Sequence, residues 1–387
     1  MTTSLFAGTG SATGGRLPTT HPEVASGNLH RDLCDELRLA VIHAIHDSGV
    51  PYCILGDAEA SAPSGEGDLD FAVTPSDYDR IPQLLADAAA FAGGQLVQAI
   101  AHESTATYFA IAKVKDRAIG FVNPDCSTDY RREGRLWIPA EELLRGRRLG
   151  SEGFFRPAPD TNFKYYLIKQ VLKQTLSEAQ WARLTALYYG STDPECALNL
   201  WPEPINLQME SALLRKDGAA FHELLPRLGS EVESTPYRED LVARGAAFAA
   251  DSARLVSRVS HPTGLFVRVA GGLPIERTDL ALRLAQAMAP AFRHTWVDRE
   301  FAPASINRAL IESTLVVSLN EAFLARAPFG GVTIHWQPAL SPGENLEQAI
   351  AAVASYLSRR TAHRLKLSPR ESCPTTPESV PMSEGAY

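Results

Sequence analysis

Asp68-Leu69-Asp70-Phe71-Ala72-Val73 alternates acid and apolar side chains before becoming wholly apolar, and it follows the apolar run Tyr52-Cys53-Ile54-Leu55, which ends at Gly56-Asp57. Side chains two apart on a strand share a face, so Asp68 and Asp70 present oxygen ligands to one point in space. Gly56, twelve residues ahead of Asp68, closes the earlier run and reads as a turn. Paired hard oxygens begin a Mg²⁺ or Mn²⁺ site, because such ions take a few protein carboxylates and leave other positions to water and phosphate. A third acid is therefore expected. Asp125, closing the run Ala118-Ile119-Gly120-Phe121-Val122, is the first candidate, and Asp129 is the alternative. Two acids around one Leu also fit a solvated strand face, and Asn123-Pro124-Asp125 also reads as a turn.

Working outward, Leu29 to Ser48 carries apolar residues at near-helical period and ends at Asp47-Ser48-Gly49. The pattern then predicts strands at 51–55 and 68–73, a helix at 76–91, and strands near 95–101, 107–114 and 117–123. An α+β mixed sheet with a helix on one face is the packing these elements imply for a first unit over 29–150. Residues 160–255 read as a helical unit, with Lys169 and Lys173 four apart on one face of a helix over 162–174. A solvated charged face is the plain reading of that pair. Trp181, Tyr188 and Tyr189 have core-like spacing. His43 and His46 read as helix-surface residues, with no acid or cysteine nearby to complete a metal set.

Composition bounds the function. The 387 residues are 45% hydrophobic and 21% charged, enough for two or three cores, and a net charge of −8 argues against a dedicated nucleic-acid binder. The five cysteines show neither metal-ligand spacing nor an even disulfide count, and Cys53 and Cys126 read as small buried hydrophobes. Residues 1–28 and the Pro-rich stretch from 368 to 387 are expected to be disordered, with no signal-peptide core in the former. No run approaches eighteen apolar residues, so no membrane insertion is expected, and a cytoplasmic, soluble protein follows. The sequence assigns no oligomeric state.

Taken together, the apolar-Gly turn, the Asp-x-Asp strand and the later acid resemble the polymerase-beta-like nucleotidyltransferase superfamily over roughly residues 38–130. The resemblance implies that Gly56 and Asp57 approach nucleotide phosphates, and that Asp68, Asp70 and Asp125 hold Mg²⁺ or Mn²⁺ around the transferring phosphorus. It further implies NTP and a hydroxyl acceptor as substrates, with Lys169 and Lys173 as candidate cations for the triphosphate. Asp57 departs from the Ser or Gly usual after the glycine, and its carboxylate repels a triphosphate unless a metal intervenes. Asp125-Cys126-Ser127-Thr128-Asp129-Tyr130-Arg131, with Tyr165-Tyr166-Leu167-Ile168-Lys169 and Val171-Leu172-Lys173, resembles bacterial proteins associated with exopolysaccharide or capsule biosynthesis.

In those proteins a thymidylate-kinase-like domain follows, and residues 261–366 supply a counterpart. An apolar strand Leu265–Ala270 leads into Gly271-Gly272-Leu273-Pro274-Ile275-Glu276-Arg277-Thr278 and a helix, the setting of a Walker A loop. Glu276 stands at the second Gly of that pattern and Arg277 at its Lys. A carboxylate there crowds and repels phosphate, while Arg277 keeps charge in a bulkier planar group. Asp298-Arg299 falls too early after the loop for that family's Asp-Arg pair and reads as a surface pair. A strand near 314–319, another at 331–336 and a helix at 345–362 complete a small α/β layer, read as a degenerate P-loop domain. Three functional expectations follow: a metal-dependent nucleotidyltransferase, a catalytically decayed scaffold of a polysaccharide assembly system, or a P-loop kinase.

Overall fold

The computed structural model describes residues 25–55, 68–132, 135–234, 241–298, 309–319 and 331–368. The chain is a mixed α/β protein with both mixed and parallel sheets. Helix α1 (Ala25–Asp47) leads into β1 (Tyr52–Ile54) and β2 (Leu69–Val73), which pair antiparallel. A 3-10 turn at Tyr78–Arg80 precedes α2 (Ile81–Phe91), so the predicted helix over 76–91 begins later; Pro82 sits at its start, where a missing N–H costs nothing. Next come β3 (Gln95–Glu103), β4 (Ala106–Lys115), β5 (Ala118–Val122) and β6 (Pro124–Ser127). The sheet runs β1-β2-β6-β4-β3, with β5 also paired to β4.

One correction bears on the site. Asp125 does not close the strand 118–122 and does not lie in a turn; it occupies β6, a separate strand begun by Pro124. β6 lies parallel to β2 and antiparallel to β4. The proline cannot donate to a ladder, so it marks the break at which the chain leaves one pairing for another.

Alternation assigns the faces of this sheet. Phe71, Phe109 and Ile111 are buried against Leu37, Val41 and Ile45 of α1 and Ile81 and Leu85 of α2. Full burial of each such side chain is worth about 1.5–3 kcal/mol. Gly120 on β5 lets α1 come close, since a Cβ there would lie 2.5 Å from Leu33 Cβ.

Two hairpins and a short helix follow: β7 (Tyr130–Arg132) with β8 (Arg135–Ile138), α3 (Ala140–Leu144), then β9 (Arg148–Leu149) with β10 (Phe155–Arg156). The predicted helical stretch comprises α4 (Pro159–Lys173), α5 (Glu178–Gly190), α6 (Glu195–Leu198), α7 (Glu203–Arg215), α8 (Gly218–Ser234) and α9 (Leu241–Ser260). Their core joins Phe163, Tyr166 and Leu167 of α4 to Leu184, Met209 and Phe221, and Cys53 and Ala72 of the sheet enter the same cluster. Tyr188 is buried there, but Tyr189, read as a core residue, is exposed, with its hydroxyl donating to Leu214 O at 3.1 Å.

The third stretch contains β11 (Leu265–Ala270), α10 (Pro274–Met288), β12 (His294–Asp298), β13 (Thr314–Ser318), β14 (Gly331–His335) and α11 (Pro342–Leu365). Its sheet is parallel throughout, in the order β12-β13-β11-β14. β12 is an element that the sequence pattern missed. This unit does not stand apart: Val97, Ala110 and Ala112 of the first sheet share one core with Leu280, Val353 and Leu357. Gln98 Nε2 donates to Thr263 O at 2.8 Å, and Thr361 Oγ1 to Val97 O at 3.0 Å, across that junction.

Of the stretches expected to be disordered, Ala25–Asn28 is helical, and the remainder of 1–28 and the tail beyond 368 lie outside the described residues. Among the described residues no helix is long and apolar enough to cross a membrane.

Candidate functional site

The acids come together. Asp70 on β2 and Asp125 on β6 are register partners in adjacent parallel strands, so both side chains leave the same face of the sheet. Asp68 precedes Asp70 by two residues, while Leu69 and Phe71 between and beyond them are buried on the opposite face. Asp68, Asp70 and Asp125 line one cleft of about 210 Å³ together with Lys169, Lys173, His102, Tyr130 and Tyr165. Asp129 lines it too, but its Oδ1 accepts from Ala140 N at 2.9 Å at the start of α3 and its Oδ2 faces Arg131 Nε at 3.5 Å. Those contacts occupy Asp129 as a cap and a pair partner.

α4 delivers the cations. Its N-terminal half is anchored by Phe163, Tyr166 and Leu167 in the helical core, which turns Tyr165, Lys169 and Lys173, four residues apart, toward the sheet. Lys169 Nζ donates to Asp70 Oδ2 at 2.6 Å and lies 5.5 Å from the centre of the Tyr165 ring. Burial works against the Lys169 charge, but the Asp70 carboxylate outweighs it and holds the ammonium pKa above its ordinary value.

The electrostatics of the acids follow from their crowding. Burial, then Asp70, then Asp68 push the Asp125 carboxyl up to about 7, with Lys169 opposing. Asp68 is also raised, by burial and Asp70, against the pull of Lys169, Lys173 and Arg38. His102 Nε2 lies 3.8 Å from Asp125 Oδ1, and burial lowers its pKa. Three carboxylates on one wall form the donor set that a hard divalent cation takes. Among the described residues no three His, Cys, Asp or Glu side chains close on a common metal position as they stand. The donor chemistry thus suits such an ion, with Lys169 now covering part of the charge of Asp70.

The sequence pointed to six residues of this cleft: Asp68, Asp70, Asp125 with its alternative Asp129, Lys169 and Lys173. Gly56 and Asp57 lie outside the described residues. His102, Glu103, Tyr130, Arg131 and Tyr165 were not assigned to the site from sequence. Tyr165 was discoverable, since it precedes Lys169 by one helical turn. His102 was not, because it reaches the cleft from β3 only through the order of the sheet.

The glycine loop of the third stretch lies elsewhere. Gly271 and Gly272 take positive φ values of 75° and 65°, which a glycine adopts freely. Glu276 Oε2 accepts from Leu273 N at 2.7 Å and so occupies the helix N-terminus with the protein's own carboxylate. A Cβ on Gly272 would lie 2.7 Å from the Trp336 ring, so that indole closes the loop from the other side. Thr278 Oγ1 donates to Pro274 O at 2.9 Å within the helix. Asp298 ends β12, and Arg299 lies outside the described residues.

No protein-family model, curated protein or solved structure matches the chain in the comparisons made.

Proposed function

We propose that this chain is a metal-dependent nucleotidyltransferase that moves a nucleoside monophosphate group from an NTP to a hydroxyl acceptor. The observation that carries the reading is the shared cleft of Asp68, Asp70 and Asp125 facing Lys169 and Lys173. The finer architecture proposed with it is a polymerase-beta-like mixed sheet, a helical middle region and a degenerate P-loop unit, with polysaccharide biosynthesis as the substrate neighbourhood.

In this reading Lys169 and Lys173 balance triphosphate charge from one face of α4. Mg²⁺ or Mn²⁺ held by Asp68, Asp70 and Asp125 would draw charge from the transferring phosphoryl group. Asp125 would assist deprotonation of the acceptor hydroxyl through the metal it helps to hold, and the proton passes to water. The acceptor oxygen bonds to the α-phosphorus, the bond from that phosphorus to the bridging oxygen breaks, and pyrophosphate leaves.

The test is transfer of α-phosphate label from NTP in the presence of Mg²⁺. Asp68→Asn with Asp70→Asn is expected to lower transfer at least about a hundredfold while circular dichroism stays unchanged. Undiminished transfer would reject the assignment.

One observation favours a second reading, a decayed scaffold: the Lys169 ammonium already sits 2.6 Å from an Asp70 oxygen, where a metal would compete with it. Calorimetry with NTP and Mg²⁺ separates the two, since the scaffold binds neither tightly. The kinase reading has less support, because Glu276 and Trp336 fill the loop that would hold phosphate.

A further inference from the structure

Helix α9 (Leu241–Ser260) is attached to the protein by its polar side. Asp251 Oδ1 accepts from Ser104 N at 3.2 Å, Arg254 Nη1 donates to Ala101 O at 3.3 Å, and Arg258 Nη2 donates to Ile311 O at 3.1 Å. The helix has no buried residue. An amphipathic helix on a globular protein ordinarily turns its apolar stripe to the core. Here Leu241 is 81% exposed, Val242 80%, Phe248 76%, Val256 66%, and Leu255 and Val259 54% each.

The stripe has a register. Leu241, Gly245, Phe248, Ser252, Leu255 and Val259 follow one another at alternating steps of four and three, the spacing of a coiled-coil seam. It is also complementary to itself when reversed. A two-fold axis at the middle of the helix sets Leu241 opposite Val259 of a second copy, Gly245 opposite Leu255, and Phe248 opposite Ser252. Each of the two central pairings puts a large side chain over a small one, as interlocking surfaces require. We infer that α9 is a homodimerisation helix, pairing antiparallel with α9 of a second copy of this chain across an isologous interface.

The area supports a second copy as the occupant. At roughly 100 Å² of apolar surface per large side chain, the six exposed residues offer about 600 Å² per protomer. Two protomers would together bury about 1,200 Å², the lower end of the range for specific stable interfaces. Because α9 is fixed to Ala101 and Ser104 at the end of β3, which also carries His102, pairing would set the two clefts on a common frame.

Light scattering on the eluting full-length chain at tens of micromolar tests this, with a dimer of about 84 kDa expected against 42.0 kDa for one chain. Phe248→Glu removes no buried contact, so its circular dichroism should be unchanged while dimer dissociation rises at least about thirtyfold. Leu255→Glu should also give monomer, and adding Gly245→Lys to it should restore the dimer, because each lysine then meets the partner's glutamate. A monomeric native chain overturns the inference, including one that binds phosphatidylcholine vesicles through α9. So does a dimer that Phe248→Glu leaves intact, or a Leu255→Glu monomer that Gly245→Lys fails to rescue.

Discussion

Replacing Asp125 with Asn is expected to stabilise the fold, and to do so far more at pH 8 than at pH 5. In the native chain the carboxyl is raised from 3.8 to about 7 by burial, Asp70 and Asp68. The folded state therefore binds this proton more tightly than the unfolded chain. The stability it confers is complete below pH 3.8, falls as pH rises toward 7, and is gone above that. At about 1.4 kcal/mol per pH unit, the loss is roughly 1.6 kcal/mol by pH 5, where the folded carboxyl still holds its proton, and roughly 4 kcal/mol by pH 8, where it is ionised. Asn keeps the shape and cannot ionise, so its advantage should grow by about 2–3 kcal/mol between those two conditions. Urea denaturation followed by far-ultraviolet dichroism at both pH values measures the difference. An advantage that is equal at both, or larger at pH 5, would refute the crowding of acids on which the site rests. Millimolar Mg²⁺ should also stabilise the native chain at pH 8 more than the Asn variant, since a bound cation relieves that repulsion.

Lys169→Met leaves Asp70 half-buried without its 2.6 Å partner, so a loss of about 2–3 kcal/mol in urea denaturation is expected, along with weaker NTP binding by calorimetry. Glu276→Ala should cost about 1 kcal/mol through the lost helix cap at Leu273, and γ-phosphate transfer should remain absent in the variant. Gly120→Ala drives a methyl to 2.5 Å from Leu33 Cβ and 2.9 Å from Cys34 N, so a loss of at least about 2 kcal/mol in the same denaturation assay is expected.

Much of the site was legible because its chemistry is local. The Asp-x-Asp alternation announced a shared face, and the i, i+4 spacing of Lys169 and Lys173 announced another; both residue pairs line the cleft. Asp125 lines the cleft, but from a different element than the apolar pattern implies. Apolar periodicity ended at Val122, and nothing in Asn123-Pro124 signals that the chain resumes pairing with a different strand. β12 escaped notice because His294-Thr295-Trp296-Val297-Asp298 has few apolar residues and its neighbour β13 lies far along the chain. The joint core of Val97 and Ala110 with Leu280 and Val353 was illegible as well, since apolar alternation says that a face is buried and not what buries it. The charge of Glu276 already marks the loop as hostile to phosphate, but its contact with Leu273 N, which caps the helix, depends on the folded loop.

The most direct test of the cleft is anomalous diffraction from crystals of the chain grown with Mn²⁺ and a non-hydrolysable NTP analogue. An anomalous peak bounded by the carboxylates of Asp68, Asp70 and Asp125, with the triphosphate running toward Lys169 and Lys173, is the expected result. Nucleotide bound elsewhere, or ordered carboxylates with no manganese between them and Lys169 still on Asp70, would contradict it.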